Sequence, residues 1–193
     1  MSRNPQFIIG LTGPMLSGKS TALGYFAQCG AGVISCDEIA RTLYTRPAVL
    51  KKIKAALGTA DKKEIAARVF KSAAKRKALE QILHPLILKE VQAQLKACRK
   101  PMVVVEAPLL FEAGWDKFTD LNICVLADPN TLAARLQGRK LSRAEYTRRV
   151  AHQLKAEVKA ARADGVFFHT HKAQLKQSVT RFCRAMNLLH VKK

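Results

Sequence analysis

The sequence has few acidic residues and few aromatic ones, and its cysteines form no recognisable pattern. It contains 14 Asp and Glu against 34 Lys and Arg, and aromatic residues make up 6% of the chain. The five cysteines are scattered without a C-x-x-C pair, which argues against a zinc site or a disulfide framework and fits a reducing cytoplasm. No stretch approaches the roughly 18 consecutive apolar residues of a membrane span. The N-terminus lacks a signal-peptide layout, so we expect a cytoplasmic protein with no membrane association.

Positive charge is concentrated in two segments of the chain. The net charge is +20, with fifteen Lys and Arg against four Asp and Glu between Arg46 and Lys100. Between Arg135 and Arg162 the count is nine against two. Such an excess favours an anionic partner, which can be a polyphosphate, an acidic membrane surface or a nucleic acid. Aromatic residues do not alternate with the basic ones and no base-reading motif is present, so we expect no nucleic-acid partner.

A phosphate-binding loop of the form G-x-x-x-x-G-K-[ST] begins at Gly13. The apolar run Phe7–Leu11 precedes it and a helical pattern from Lys19 to about Gln28 follows, which is the strand–loop–helix setting that the motif requires. Backbone N–H groups and the helix dipole favour phosphate oxygens there. Lys19 is expected to reach the β- and γ-phosphates of ATP, and the Ser20 hydroxyl to bind Mg²⁺. The nucleotide-binding residues predicted in this loop are Gly13, Leu16, Ser17, Gly18, Lys19, Ser20 and Thr21.

Apolar, β-branched runs alternate with longer helical patterns, which predicts an α/β fold with a parallel sheet. The five predicted strands are Phe7–Leu11, Gly32–Cys36, Met102–Ala107, Leu121–Leu126 and Val166–Phe168. They would form the sheet of a P-loop NTPase core, accompanied by a helical substrate lobe and a helical lid. The predicted boundaries are residues 1–37, 101–134 and 163–193 for the nucleotide-binding core, 38–100 for the acceptor-binding lobe and 135–162 for the lid.

Local signals predict where several helices begin and end. In the lobe, Ser72 is expected to cap a helix that stops at His84-Pro85, after which Pro85 begins a second helix. The apolar residues that this second helix would bury are Leu86, Leu88, Val91 and Leu95. After the fourth predicted strand, Asp128-Pro129 begins a helix that carries Arg135 and Arg139, and the run Ser142–Glu145 forms a capping box at the start of the next helix.

Two acidic residues lie at the carboxyl ends of predicted strands, the end where a doubly wound sheet binds its ligands. Asp37 comes directly after strand 2, where a carboxylate can accept the proton of an attacking hydroxyl. The alternative is that Ser35 and Glu38 form a capping box and that Asp37 only favours a helix N-terminus. Glu106 ends strand 3 as in a Walker-B element, where a carboxylate holds Mg²⁺ directly or through water. A glutamate at a strand end without any metal role is the alternative there.

Arginines are frequent in the predicted lid. Arg135 and Arg139 are four residues apart and therefore share one helical face, and Arg148 and Arg149 follow on the next helix. Arginines on a closing segment can cover the triphosphate, exclude water and neutralise charge that develops during transfer. We expect Arg139 to contribute most, Arg149 next and Arg135 third. The alternative is an exposed basic pair of helices.

Taken together, these residues resemble the dephospho-coenzyme A kinase family. The resemblance depends on a series of short motifs that run in order from residue 10 to residue 164. The phosphate loop alone is shared by many enzymes, and the later motifs make the match specific. The series comprises Gly10–Gly13 with the phosphate loop, Asp37–Arg41, His84-Pro85, Pro108–Glu112, Arg135 with Arg139, Arg149–Gln153, Lys159 and Ala163-Asp164.

The resemblance implies ATP-dependent phosphorylation of the ribose 3′-hydroxyl of dephospho-coenzyme A, the last step of coenzyme A synthesis. It also implies a role for each matching residue. Asp37 would be the base, Lys19 and Arg139 would act with it in catalysis, and Arg149 would help to bind ATP. The Mg²⁺ roles of Ser20 and Glu106 rest on the residue patterns described above and not on this resemblance. The acceptor would contact Asp37, Arg41, His84, Leu109 and Glu112.

The sequence departs from the family pattern at four positions. Ser35 replaces the first Asp of the element before Arg41, and Leu16 replaces a Gly of the loop. Glu106 stands where Asp is usual, and His169 where Asn follows the last strand. Two alternative functions stay open, namely a nucleoside or nucleotide kinase with another acceptor and a nucleic-acid-binding protein that uses the triphosphate as a switch. The oligomeric state is open as well.

Overall fold

The computed structural model describes residues 6–190 of the 193-residue chain. These residues fall into two units, one formed by the chain up to Ser35 and from Cys98 onward, the other by Cys36–Ala97. Their helices are α1 Lys19–Gln28, α2 Cys36–Leu43, α3 Pro47–Leu57, α4 Lys62–Lys71, α5 Ala73–Ala97, α6 Pro129–Gly138, α7 Arg143–Val150, α8 Ala156–Arg162 and α9 Lys172–His190. A short 3₁₀ helix spans Trp115–Phe118.

The first unit contains a five-stranded parallel sheet, as predicted. Its strands are β1 Phe7–Thr12, β2 Gly32–Ser35, β3 Met102–Glu106, β4 Leu121–Ala127 and β5 Gly165–His169, in the order β2-β3-β1-β4-β5. Strand β3, between β2 and β1, is an unbroken apolar run before its final Glu and is buried throughout, as expected where helices cover both faces of a parallel sheet. The α/β prediction is confirmed. The observed strand ends differ from the predicted ones by one residue. For example, Cys36 begins α2 instead of ending β2, and His169 belongs to β5.

The core of the first unit lies between the sheet and helices α1 and α9. Phe26 of α1, Phe167 of β5 and Phe182 of α9 form a cluster with ring centroids 5.9–6.3 Å apart. The stripe of α9 that faces this core repeats every three to four residues, which is the helical period. Its buried members are Leu175, Val179, Cys183 and Met186. This packing holds α1, and with it the end of the phosphate loop, against the sheet.

Strand register brings Glu106 to the site. Its Cα pairs with Leu11 of β1 on one side and with Ser35 of β2 on the other. Since parallel strands end at the same edge of the sheet, the last residue of β3 lies between the strand that leads into the phosphate loop and the end of β2. The topology therefore groups these three strand ends.

The second unit consists of helices α2 to α5, and no residue of Cys36–Ala97 is in a strand. The long helix α5 packs against α2, α3 and α4, so it forms the centre of this unit. Apolar side chains of the shorter helices, among them Ile39, Leu43, Ile53 and Ile65, are buried. The predicted boundaries at residues 38 and 100 differ by a few residues from Cys36 and Ala97, and the acceptor-binding role of this segment stays a prediction.

The predicted break at His84-Pro85 is wrong. Helix α5 runs from Ala73 to Ala97 with Pro85 inside it. Proline removes one backbone hydrogen bond there. The helix nevertheless has a stripe of buried residues, each four positions from the next, which begins before Pro85 and continues after it. This stripe is Leu83, Ile87, Val91 and Leu95, whereas the predicted Leu86 and Leu88 are only half-buried. Burial of a continuous stripe outweighs the local preference of Pro85 for a first turn.

The helix starts predicted at Ser72, Asp128-Pro129 and Ser142 are confirmed. The Ser72 hydroxyl accepts from the backbone N–H of Lys75 at the start of α5, and Asp128 caps α6 through the N–H groups of Asn130 and Thr131. Ser142 and Glu145 form a reciprocal capping box at α7. A search of residues 6–190 finds no helix with the length and apolar character to cross a bilayer.

Candidate nucleotide-binding and phosphoryl-transfer site

Two glycines shape the phosphate loop between β1 and α1. Gly13 has φ +145° and Gly18 has φ +103°, in a region that other residues rarely adopt. A Cβ at Gly13 would lie 2.3 Å from the carbonyl oxygen of Val125 in β4, so no side chain fits there. Leu16 also has a positive φ of 66°, a conformation that costs an ordinary residue about 1–2 kcal/mol. The loop is thus held in a shape that its own residues do not all favour.

The N-terminus of α1 is open to an anion. Gly18 is its N-cap, none of the described side chains caps it, and its first turn contains no acidic residue. The N-terminal N–H groups of a helix carry partial positive charge and favour phosphate. Lys19 is 8% exposed and its Nζ donates to the carbonyl of Pro14 at 3.0 Å, so the ammonium group lies across the loop.

Ser20, Ser35 and Glu106 meet beside the loop. The Ser20 hydroxyl donates to Glu106 Oε1 at 2.8 Å, and the Ser35 hydroxyl donates to Oε2 at 3.2 Å. Glu106 is 2% exposed, whereas Ser20 is exposed. The group therefore has a buried carboxylate on one side and is open to solvent on the side of Ser20. The Ser35 hydroxyl is thus part of this group, and the capping-box alternative for Ser35 and Glu38 stays open, because a hydroxyl that donates one hydrogen bond can still accept another.

These oxygen atoms fit a magnesium ion. Mg²⁺ prefers hard oxygen ligands and keeps several waters, so it needs only one or two protein oxygens besides the phosphates of its substrate. A carboxylate and a hydroxyl at one strand edge supply such a set. Within residues 6–190, no three His, Cys, Asp or Glu side chains gather as a larger metal cluster.

Two side chains from distant elements bond to the carbonyl groups of the loop. Arg135 of α6 donates from Nη1 to the carbonyl of Leu16 at 2.7 Å. The Nε2 atom of His169, the last residue of β5, lies 2.8 Å from the carbonyl oxygen of Ser17. Burial lowers the pKa of Arg135, with Asp128 opposing this and Arg139 adding to it, but an arginine stays charged under such shifts.

The segment after β3 is joined to the beginning of α8. Lys159 is fully buried, and its ammonium group lies 3.0 Å from Glu112 Oε1 and also donates to the carbonyl of Pro108. Glu112 Oε1 accepts a further bond from the backbone N–H of Leu154 at 2.8 Å. A buried ammonium needs such partners, because an unpaired charge there is strongly destabilising. Glu112 thus fastens the chain beyond α7, and Leu109 lies half-buried in the same turn.

The predicted lid arginines differ in their surroundings. Arg139 follows the end of α6 and is exposed, and Arg149 near the end of α7 is exposed too. Of the three arginines ranked from the sequence, the third, Arg135, contacts the phosphate loop. The roles assigned to Arg139 and Arg149 stay predictions.

The remaining predicted residues lie in the helical unit. Asp37 and Arg41 are exposed on α2, whose first residue directly follows Ser35 in the chain. His84 lies on α5, the helix against which α2 packs, and is half-buried. Burial lowers the pKa of His84, and the carboxylate of Glu80 opposes this shift. Two of these residues therefore share one helix, and the third lies on its packing partner.

Sequence reasoning missed the contacts of His169, Arg135 and Lys159. His169 was noted only as a departure from a pattern, yet it is fully buried against the loop. The signal available in the sequence was weak, because the two partners are 152 positions apart. Only its place in the series of motifs singled out Lys159, and no pattern indicated that its side chain is buried.

Comparison with known proteins agrees with this geometry. The model of one sequence family, described as "Dephospho-CoA kinase", matches residues 7–174. A protein of that name from Moorella thermoacetica is 38% identical over 175 residues, which cover 83% of this chain and 82% of the relative.

Two solved structures are similar to this chain over most of its length. A crystal structure of a Thermus thermophilus protein matches with a TM-score of 0.85 and 28% identity, covering 95% of this chain and 98% of that one. The structure of a dephospho-CoA kinase from Campylobacter jejuni matches with a TM-score of 0.66 and 25% identity, covering 93% and 96%.

Proposed function

Because the chain belongs to the dephospho-CoA kinase family, we propose that it transfers the γ-phosphoryl group of ATP to the ribose 3′-hydroxyl of dephospho-coenzyme A. The observation that carries this proposal is the contact of Ser20 with Glu106 beside a complete phosphate loop. The family match extends over that loop and over the segments that follow it. The products are coenzyme A and ADP.

The phosphate loop binds the donor. Backbone N–H groups at the start of α1 surround the phosphate oxygens, and Lys19 neutralises their charge. Ser20 and Glu106 would hold Mg²⁺, which when bound supplies positive charge to the β- and γ-phosphate oxygens. Arg139 and Arg149 complete the site from the lid side and exclude water when ATP is present.

The helical unit binds the acceptor. Arg41 and His84 contact dephospho-coenzyme A, together with Leu109 from the turn after β3. Asp37 accepts the proton of the 3′-hydroxyl, whose oxygen forms a bond to the γ-phosphorus while the bond from that phosphorus to the β–γ bridging oxygen breaks. Glu112 contributes by position, because its carboxylate is bonded to Lys159 and to the N–H of Leu154.

We place this reaction in the cytoplasm, with a small-molecule substrate and without a nucleic-acid partner. The family and the phosphate loop support a small-molecule acceptor. The excess of Lys and Arg suits substrates that carry several phosphates, since positive potential raises the local concentration of anions.

An acceptor panel tests the proposed reaction. The protein is mixed with MgATP and dephospho-coenzyme A, a simple nucleoside, or a nucleoside monophosphate, and ADP release is measured. We expect dephospho-coenzyme A to be used at least about 10²-fold more efficiently than the others, because a site built for specific polar contacts rejects analogues that lack them. Equal use of a simple nucleoside would indicate a nucleoside kinase instead.

The assignment of the base is tested by Asp37→Asn. We expect turnover to fall by at least about 10²-fold, because the amide cannot accept the proton of the 3′-hydroxyl. Glu38→Gln is the matched control, since Glu38 is also exposed in the first turn of α2. Near-normal turnover of Asp37→Asn would refute this role.

A further inference from the structure

His169 is a buried polar residue that the proposed reaction does not use. It is fully buried at the end of β5, and its Nε2 lies 2.8 Å from the carbonyl oxygen of Ser17. A carbonyl can only accept a hydrogen bond, so Nε2 carries the proton and donates it. The other ring nitrogen, Nδ1, is buried and has no hydrogen-bond partner. The ring therefore makes one directed bond, and that bond ends on the phosphate loop.

The bond to Ser17 fixes the direction of the next N–H group. The carbonyl of Ser17 and the N–H of Gly18 belong to one planar trans peptide unit, in which they point in opposite directions. When His169 holds the carbonyl on its side, the Gly18 N–H is turned away from the ring. Gly18 is the N-cap of α1, so its N–H belongs to the group that would face a phosphate.

Gly18 itself is fitted to the side chains that hold the loop. A Cβ at this position would lie 3.1 Å from His169 Nε2 and 3.2 Å from Arg135 Nη1. The second glycine of the motif therefore leaves room for the imidazole and the guanidinium behind the loop, besides supplying its positive φ of 103°. The His169 ring can occupy its position because residue 18 has no side chain.

Arg135 supports the neighbouring carbonyl in the same way. Its bond to the carbonyl of Leu16 holds a residue with φ 66°, which an unsupported loop would relax. The N–H of the same peptide unit is that of Ser17, and it donates to the carbonyl of Pro14 at 3.2 Å. Two consecutive carbonyls are thus fixed by side chains from α6 and β5.

We infer that His169 is a positioning residue of the phosphate loop, which sets the affinity for the nucleotide phosphates by holding the Ser17–Gly18 peptide in the binding orientation. It acts through the Ser17 carbonyl and touches neither substrate. The inference depends on the proposed function only in that the loop binds ATP. The identity of the acceptor does not enter it.

The test compares three variants of the full chain. His169→Leu removes the donor and keeps an apolar side chain, whereas His169→Gln restores a donor, because the amide nitrogen of Gln lies about as far along the side chain as Nε2. His171→Asn is the control, since His171 is exposed and its Nδ1 only caps the start of α9, a role that Asn also fills.

ATP affinity is measured by titration calorimetry, and the KM values of ATP and dephospho-coenzyme A are measured separately. We expect His169→Leu to weaken ATP binding and raise its KM about tenfold, because the Ser17 carbonyl loses its donor. The KM of dephospho-coenzyme A should stay within about twofold, and His169→Gln should lie within about threefold of the parent for both substrates. His171→Asn should match the parent.

Three results would overturn the inference. They are unchanged ATP affinity in His169→Leu, an equal loss of affinity for both substrates, and failure of His169→Gln to recover ATP binding while it melts like the parent. If His169→Leu does not fold, the decision falls to His169→Gln and to the long-range ¹H–¹⁵N spectrum of the parent, which must show the Nε2-protonated tautomer. ATP binding without phosphorylation of dephospho-coenzyme A would refute the proposed acceptor and leave this inference standing.

Discussion

Residues 13–21 are fixed by groups from several other elements, whereas α6 and α7 bury none of their residues. The loop contacts Val125 of β4, Glu106 of β3, Arg135 of α6 and His169 of β5. Helices α6 and α7 depend on their own caps, Asp128 and the Ser142–Glu145 box. One region is thus shaped before ATP arrives, and the other lacks the packing that would fix it.

The segment predicted as a lid is nevertheless held by side-chain contacts at both ends. Arg135 bonds to the phosphate loop on one side, and Leu154 and Lys159 bond to Glu112 on the other. Between these points lie Arg139 and Arg149, the two exposed arginines. Segments with few buried apolar contacts open at low free-energy cost, so we expect the stretch between the two anchors to move while the anchors stay in place.

The largest expected effect comes from the loop itself. Lys19→Met keeps the apolar stem of the side chain and removes the charge that neutralises phosphate, so turnover should fall by about 10²- to 10³-fold. ADP release at saturating substrate measures it. The matched control is Lys117→Met, an exposed lysine of the 3₁₀ helix. Turnover of Lys19→Met within tenfold of the parent would show that the loop is not the catalytic phosphate site.

A smaller effect is expected in the lid. Arg139→Gln should lower kcat about tenfold with no change in the melting temperature, because the side chain is exposed and its proposed role is only to stabilise charge in the transferring phosphoryl group. Arg143→Gln, an exposed arginine at the start of α7, is the control and should match the parent. A fall in melting temperature with unchanged kcat would make Arg139 a structural residue.

Hydrogen exchange compares the two regions directly. Backbone amides of α7 should exchange at least about tenfold faster than those of α1, whose Ala22, Leu23 and Phe26 are buried. A non-hydrolysable ATP analogue should slow exchange in α7 more than in α1. Equal protection of the two helices without ligand would remove the distinction between a fixed loop and an unpacked lid.

The smallest effect concerns the caps at acid pH. The pKa of Asp128 is lowered, mainly by a hydrogen bond from the Thr131 side chain. The pKa of Glu145 is also lowered, mainly by a hydrogen bond from the backbone N–H of Ser142. Both groups then stabilise α6 and α7 above their ordinary pKa values near 4, and this contribution is lost as the pH falls through the lower folded values.

Acidification should therefore increase amide exchange, corrected for its intrinsic pH dependence, in α6 and α7 before it does so in α1. Ser142→Ala should produce about a fivefold increase in α7 at neutral pH, since an N-cap contributes about 1 kcal/mol. A pH-independent ratio between α7 and α1 would contradict the assignment of these caps.

Much of the fold could be predicted because its signals are local. The apolar run before Gly13, the helix caps at Ser72, Asp128 and Ser142, and the acid at the end of β3 each depend on residues within a few positions. The Pro85 prediction was wrong because a stripe that includes Leu83 and Ile87 decides the helix only once α5 packs against its neighbours. Contacts such as Ser17 with His169 join distant parts of the chain, and no local pattern indicates which buried polar atoms will meet.

The measurement that tests the central claim most directly is ³¹P NMR of the product formed from MgATP and dephospho-coenzyme A. A kinase built as described here forms a new phosphomonoester on the ribose 3′-oxygen, together with an equal amount of ADP, and Lys19→Met forms neither at a comparable rate. ADP released with no new phosphomonoester, or a phosphate on any other atom of the acceptor, would contradict the account.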